Sequence, residues 1–238
     1  MGKRLVGFIL IMAISCIAYT QTVLLEQHVD EDTTRENYGP NLKHYMYTAI
    51  RYGLVSGSSD VVGLPVKYGN ASEITWGIKY KNRLSDLFSW GLGINYSAQY
   101  FPLKQDSSKI YPNSILHDKE RFTFNNLGAD LFARINFDNR RGNVIGTYID
   151  LGGYLDWVFL TKYYTKDKNP AGSMSKNTEV TQTGLTTTHN FNYGATAKIG
   201  YKSIALVAKY RFSDIFISRY DIPEFPRFIF GIEIATIN

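Results

Sequence analysis

Phe88-Ser-Trp-Gly-Leu-Gly-Ile-Asn-Tyr-Ser-Ala-Gln-Tyr-Phe101 sets Phe88, Trp90, Leu92, Ile94, Tyr96, Ala98 and Tyr100 on one parity, against Ser89, Gly91, Gly93, Asn95, Ser97 and Gln99 on the other. Strict alternation over such a length is the period of a strand, and no helical period fits it. One face is large and apolar, the other small or polar. That division suits a wall with lipid on one side and a crowded polar interior on the other.

The pattern recurs along the chain. Residues 73–81 set Ile74, Trp76, Ile78 and Tyr80 against Glu73, Thr75, Gly77, Lys79 and Lys81, and residues 189–201 set Phe191, Tyr193, Ala195, Ala197 and Ile199 against Asn192, Gly194, Thr196, Lys198 and Gly200. Further runs at 45–55, 122–137, 144–161, 203–213 and 227–237 bring the total to eight. The connections alternate long and short: 56–72, 102–121, 162–188 and 214–226 are long, whereas 82–87, 138–143 and 202–203 are short. Outer-membrane barrels turn tightly on the periplasmic side and carry larger loops outside. The sequence therefore predicts an all-β fold, an eight-stranded antiparallel transmembrane up-and-down β-barrel over 45–238, in the outer membrane, with both termini periplasmic and the long loops extracellular.

The start of the chain supplies an export route. Basic Lys3 and Arg4, an apolar stretch over 5–18 and small residues before Gln21 read as a signal peptide over 1–20, too short to span a bilayer as a helix. The single cysteine, Cys16, lies inside this leader, so the processed chain has no thiol chemistry. Ala13-Ile14-Ser15-Cys16 could also be read as a lipidation box, but apolar residues continue past it. Residues 21–44, with Glu26, Asp30, Glu31, Asp32 and Glu36, lack strand alternation and are expected to form a flexible periplasmic arm.

Composition supports the class. A mean hydropathy of −0.20 does not suit a helical membrane bundle but suits strands that meet lipid at every second residue. The formal charge of +5 and pI near 9.1 come without a basic stripe interleaved with stacking aromatics, so no nucleic-acid partner is expected. Aromatics crowd the run ends, where Tyr and Trp favour the lipid–water boundary. Tyr100, Phe101, Phe122, Phe124, Phe159, Tyr163, Tyr164, Phe191, Tyr193, Phe212, Phe216, Phe225 and Phe228 are expected in an outer girdle, and Tyr45, Tyr47, Tyr80, Phe88, Trp90, Phe137 and Tyr201 in an inner one.

The polar parity describes the lumen. Most strand glycines fall on it, as a narrow barrel requires, with Gly153 the exception. The same parity carries Arg51, Lys79, Lys81, Arg134, Lys198, Lys209, Arg211 and Arg227 together with Glu73, Asp130, Asp150, Asp156 and Glu233. Buried charges persist when paired or hydrated, so these residues predict an ion-pair network that plugs the lumen. The alternative is an anion site built from Lys198, Lys209, Arg211 and Arg227.

Catalytic signals are sparse. His28, His44, His117 and His189 show no metal-ligand spacing, and no nucleophile elbow, phosphate loop or cofactor motif is present. A lipid-modifying enzyme at the rim would have to draw on His189 with Asp106, Ser107, Ser108 or His117. Lys162, Lys166, Lys168 and Lys176 have a simpler use as contacts for the phosphates of lipopolysaccharide.

With its leader ending at Gln21, eight amphipathic runs and the closing run Arg227-Phe-Ile-Phe-Gly-Ile-Glu-Ile, the chain resembles the small outer-membrane β-barrels of Bacteroidota-type envelopes, the group that includes PorT-like proteins. The resemblance covers roughly 45–238 and rests on architecture. It implies an outer-membrane location and, for some members, a link to protein secretion. The function expected from the whole reading is a structural, binding or secretion-accessory barrel without enzymatic activity, with outer-membrane lipids including lipopolysaccharide and envelope or secretion-machinery proteins as its candidate partners. A lipid-modifying enzyme and a narrow solute conduit are the alternatives.

Overall fold

The computed structural model describes residues 37–57, 63–137, 144–168 and 175–236. The expected leader, the arm as far as residue 36 and the turn at 138–143 lie outside the described residues. Eight strands close into a ring: β1 (His44–Ser56), β2 (Ser72–Arg83), β3 (Phe88–Pro102), β4 (Lys119–Asn136), β5 (Thr147–Lys168), β7 (Phe191–Tyr201), β8 (Ile204–Arg211) and β9 (Phe228–Ala235). Every pairing is antiparallel, and β9 returns to β1 to leave no open edge in the barrel wall.

A ninth strand, β6 (Asn177–Thr183), was not expected from the sequence. The stretch 162–188 was expected to be a loop, but β5 continues to Lys168 and β6 folds back on it, pairing from Lys162↔Thr183 to Lys168↔Asn177. Thr161, Tyr163, Tyr164 and Thr165 favour extended backbone, so the strand outlasts the apolar pattern that marks its membrane portion. β6 is exposed along its whole length.

The outward face carries exposed Ile50 and Tyr52 on β1, Trp76 and Ile78 on β2, Leu92 and Ile94 on β3, Leu131 on β4, Leu151 and Leu155 on β5, and Ile232 and Ile234 on β9. So continuous an apolar surface is untenable in water and fits a lipid-facing wall. Among the described residues no helix is long and apolar enough to cross a membrane.

Inside, large side chains face glycines across the strand register. Gly91 pairs with Phe132, Gly93 with Asp130, Gly128 with Asp156, Gly194 with Tyr154 and Gly200 with Tyr148. A Cβ added at Gly93 would come within 2.6 Å of the Asp130 carboxylate, and one at Gly91 or Gly200 would run into the facing ring. This alternation of small and large fills a narrow barrel. Gly200→Leu is accordingly expected to destabilise by about 1–3 kcal/mol through overpacking. Gly153→Leu, where an added Cβ would meet only a carbonyl oxygen 3.6 Å away on the outer face, is expected to be near neutral, and urea unfolding of the two variants in lipid vesicles measures the difference.

A β-bulge shapes the long-loop end. Asn126 pairs with Val158 and Asn125 with Leu160, leaving Phe159 unpaired. The extra residue switches the parity of β5: Tyr154, Asp156 and Val158 are buried below it, and Thr161, Tyr163 and Thr165 above it.

Candidate functional site

The lumen contains three sets of ion pairs joining its walls. Arg51 on β1 donates to Glu73 on β2 at 2.9 Å, while Lys209 on β8 reaches across to Glu73 at 2.9 Å and to Asp156 on β5 at 3.0 Å. Gln99 and Thr75 donate further hydrogen bonds to Glu73 at 2.7 and 3.2 Å. Glu233 on β9 accepts from Lys79 on β2 and Lys198 on β7, at 2.9 and 2.8 Å. Arg134 grips Asp150 with two parallel bonds of 2.7 and 2.8 Å, and its guanidinium stacks over Tyr148 with 3.8 Å to the ring centroid. Bidentate, stacked geometry of this kind is specific to arginine.

Three cations of the expected lumen set go elsewhere. Lys81 donates to the Pro40 carbonyl at the short-turn end. Arg211 binds Glu224 at 3.1 Å and the Phe225 carbonyl at 2.9 Å, and Arg227 sits at the rim with Asp214, in place of the expected lumen pairing. Subtracting these three from the eight cations leaves five, which face the five acids Glu73, Asp130, Asp150, Asp156 and Glu233. Asp130 makes no ion pair among the described residues; it accepts a 2.9 Å hydrogen bond from Asn95. The void beside it, of about 10 Å³, is the size of a single water. Arg211, Arg227, Lys198 and Lys209 do not converge on one anion site, because each is already bound to its own acid.

The expected outer aromatic girdle is corrected more sharply. Phe101, Phe122, Phe124, Tyr163, Phe216 and Phe225 point inward and are buried in an apolar cap with Leu64, Val66, Leu103 and Ile215. Phe225, delivered by the last long loop, stacks on Phe101 at 4.3 Å and lies 5.3 Å from Phe216 and 5.5 Å from Phe122. Glu224 fastens that loop by accepting from the backbone N–H groups of Ile215 and Phe216 at 3.0 and 2.8 Å. Parity already held part of this: Phe101 shares the parity of Gln99, and Phe122 and Phe124 that of Gly128. Phe216 and Phe225 lie in a loop without alternation, and the bulge hid Tyr163. At the other end Tyr45 and Tyr47 likewise face inward rather than toward lipid, packing with Tyr148. Phe88, Phe137 and Tyr201 are exposed, as a girdle requires, and so are Phe159, Phe191, Tyr193 and Phe212 at the opposite level.

Sequence reasoning also missed a buried polar knot in the cap. Lys109 pairs with Glu120 at 2.5 Å, both fully buried, and Glu120 accepts from Gln105 and the Tyr163 hydroxyl, each at 2.7 Å. This bond set ties the second long loop to the adjoining strands β4 and β5.

The described part of the arm, residues 37–43, folds against the short-turn end. Gly39 N–H donates to the His44 carbonyl at 2.8 Å, and Arg83 donates to the Asn41 carbonyl.

The rim residues named from sequence are dispersed. Lys166 pairs with Glu179 at 2.5 Å, and that bond holds the Glu179 carboxyl below the usual carboxylate range. Lys162 and Lys166 share the outer face of β5, whereas Lys168 and Lys176 are exposed farther along the ribbon. The candidate catalytic residues do not assemble: the Ser108 hydroxyl donates to Asp106 at 2.5 Å, His117 binds Asp167 at 2.9 Å, and no hydrogen bond joins either to the exposed His189 among the described residues. No group of metal-ligating side chains occurs among the described residues.

No family model matches the sequence, so the PorT-like affiliation has no family match behind it, and no curated protein matches either. Among solved structures the chain is similar to Ail, the attachment invasion locus protein of Yersinia pestis, solved in complex with the heparin analogue sucrose octasulfate. Identity is 11%, the match covers 81% of this chain and 95% of that one, and the TM-score is 0.31.

Proposed function

We propose that the chain is an outer-membrane β-barrel with a sealed lumen that acts through its rims, as a structural, binding or secretion-accessory component of the envelope. In this reading the long-loop end faces the cell exterior, and the short turns, the 37–43 segment and the carboxyl terminus face the periplasm. A PorT-like role beside a secretion apparatus is the narrower form of the proposal.

The observation that carries it is the double closure of the lumen. A belt of ion pairs crosses the middle and a buried aromatic cap lies at the mouth, and in this reading the two together close the lumen. The surfaces left for partners are the loop rim, the β5–β6 ribbon and the periplasmic end. In this reading the barrel performs no chemistry of its own.

In planar bilayers the purified chain is expected to give no conductance steps, while showing heat-modifiable gel migration and outer-membrane fractionation. Stepwise conductance, or recovery with the soluble periplasm, would refute the reading. His189→Ala is expected to leave lipid A structure unchanged. Crosslinking in intact envelopes then identifies the proteins that meet the rims.

A further inference from the structure

On the side of the barrel formed by β3, β4 and β5, the outward residues change character over two register steps. Leu127, Trp157 and Phe159 are exposed apolar and aromatic side chains at the top of the lipid-facing wall, with Tyr96 6.3 Å from Phe159. Above them comes the row of Ala98, Asn125 and Leu160; one register step beyond that row Tyr100, Thr123 and Lys162 lie side by side, then Pro102, Arg121 and Tyr164, then Lys119 beside Lys166. Successive outward positions thus raise a ladder of cations beginning two register steps above the Leu127–Trp157 level.

Arg121 stands at its centre between two rings, 5.3 Å from the centroid of Tyr100 and 5.6 Å from that of Tyr164. Two aromatic faces hold the guanidinium flat, and its donor edge is preorganised for an oxyanion. Beside it opens a groove of about 290 Å³, to which the first long loop contributes Lys67 and Asn70, and β4 contributes Lys119. That size is near the lower end of small-ligand sites.

The groove's two acids are outnumbered by its cations: the charge of Glu120 is met by Lys109, and only that of Asp118 is left against Lys67, Lys119 and Arg121. Asp118 accepts from the backbone N–H of Lys168. Lys67, Lys119, Arg121 and Lys162 make no ion pair among the described residues. The patch therefore presents net positive charge outward, over lipid.

We propose that this groove seats the phosphate of a glycolipid headgroup in the surrounding leaflet, bound by Arg121, Lys119 and Lys67, with Lys162 beneath and the acyl chains lying on the Trp157–Phe159 surface. The inference rests on the outer-membrane reading and specifies a ligand for its rim. A lipid is favoured over an acidic protein because the ladder stands on the barrel wall above the apolar band rather than on top of the loops. Lys162 and Lys166 belong to the patch, while Lys168 and Lys176 lie beyond it.

The test is native mass spectrometry of the full chain folded in detergent micelles and titrated with diphosphoryl lipid A, with lipid A stripped of both phosphates, and with inorganic phosphate. Retention of the diphosphoryl form is expected, with about tenfold or greater weakening for the stripped lipid and for Lys119→Gln/Arg121→Gln. Lys119→Gln alone, at an exposed position, is expected to show a smaller loss in the same direction, and Arg219→Gln, elsewhere on the loop end, none. Equal binding of the two lipid forms, equal binding by the double variant and the wild type, or displacement of the lipid by millimolar inorganic phosphate overturns the site. Capture of an acidic protein at these residues in place of lipid also overturns it. Heat-modifiable migration is recorded for each protein, so a chain that forms no membrane barrel exposes failure of the outer-membrane reading, while a folded barrel indifferent to phosphate exposes failure of the site alone.

Discussion

Glu233→Ala is expected to lower the unfolding free energy of the barrel by about 3–5 kcal/mol, because it leaves two buried ammonium groups without a counter-charge. Lys79 and Lys198 both donate to this carboxylate, and both are buried. Urea unfolding in lipid vesicles measures the loss as a lower midpoint at unchanged slope. The control is the triple replacement Lys79→Met, Glu233→Leu, Lys198→Met, which removes the desolvation cost together with the attraction and is expected to stay near wild-type stability. A triple variant as unstable as the single one would show that the charges stabilise by shape rather than by pairing.

The second large effect is expected at Phe225. Its ring is buried between Phe101, Phe122 and Phe216, so Phe225→Ala removes the centre of the cap and costs about 3–5 kcal/mol. The loop loses its anchor except for the bonds of Glu224 and Arg211. Planar bilayers are nonetheless expected to remain silent, because the ion-pair belt lies below the cap and closes the lumen independently. Conductance steps in Phe225→Ala alone would assign the seal to the cap and leave the belt a purely structural role. The two substitutions act on separate residue sets without shared partners, so their destabilisations are expected to add.

Both predictions depend on residues that the sequence presented unequally. Glu233 follows from alternation alone: Ile232 and Ile234 must face lipid, so the residue between them faces the lumen and needs a cation. Phe225 carried no such sign. It lies between prolines in a loop, where an aromatic side chain has no parity to fix its direction, and a surface girdle was the natural reading. Tyr163 failed for another reason. One unpaired residue, Phe159, reverses inside and outside for the rest of β5, and a bulge leaves no mark in the pattern of residue types.

The sequence by itself determined the class of fold, the number of strands in the ring, which faces of the strands meet lipid except beyond the bulge of β5, and ten of the thirteen charges expected in the lumen. These are consequences of local chemistry: each strand residue points to one side or the other, and lipid accepts only one kind of side chain. Only the tertiary structure decided which acid each cation meets, that Arg211 and Arg227 serve the loops rather than the lumen, that half of the outer aromatics turn in to cap the mouth, and that Arg121 stands between two tyrosines at the rim. Those arrangements join residues far apart in the chain through strand register and loop packing, and the free energy that selects them arises when the ring closes and the walls face each other.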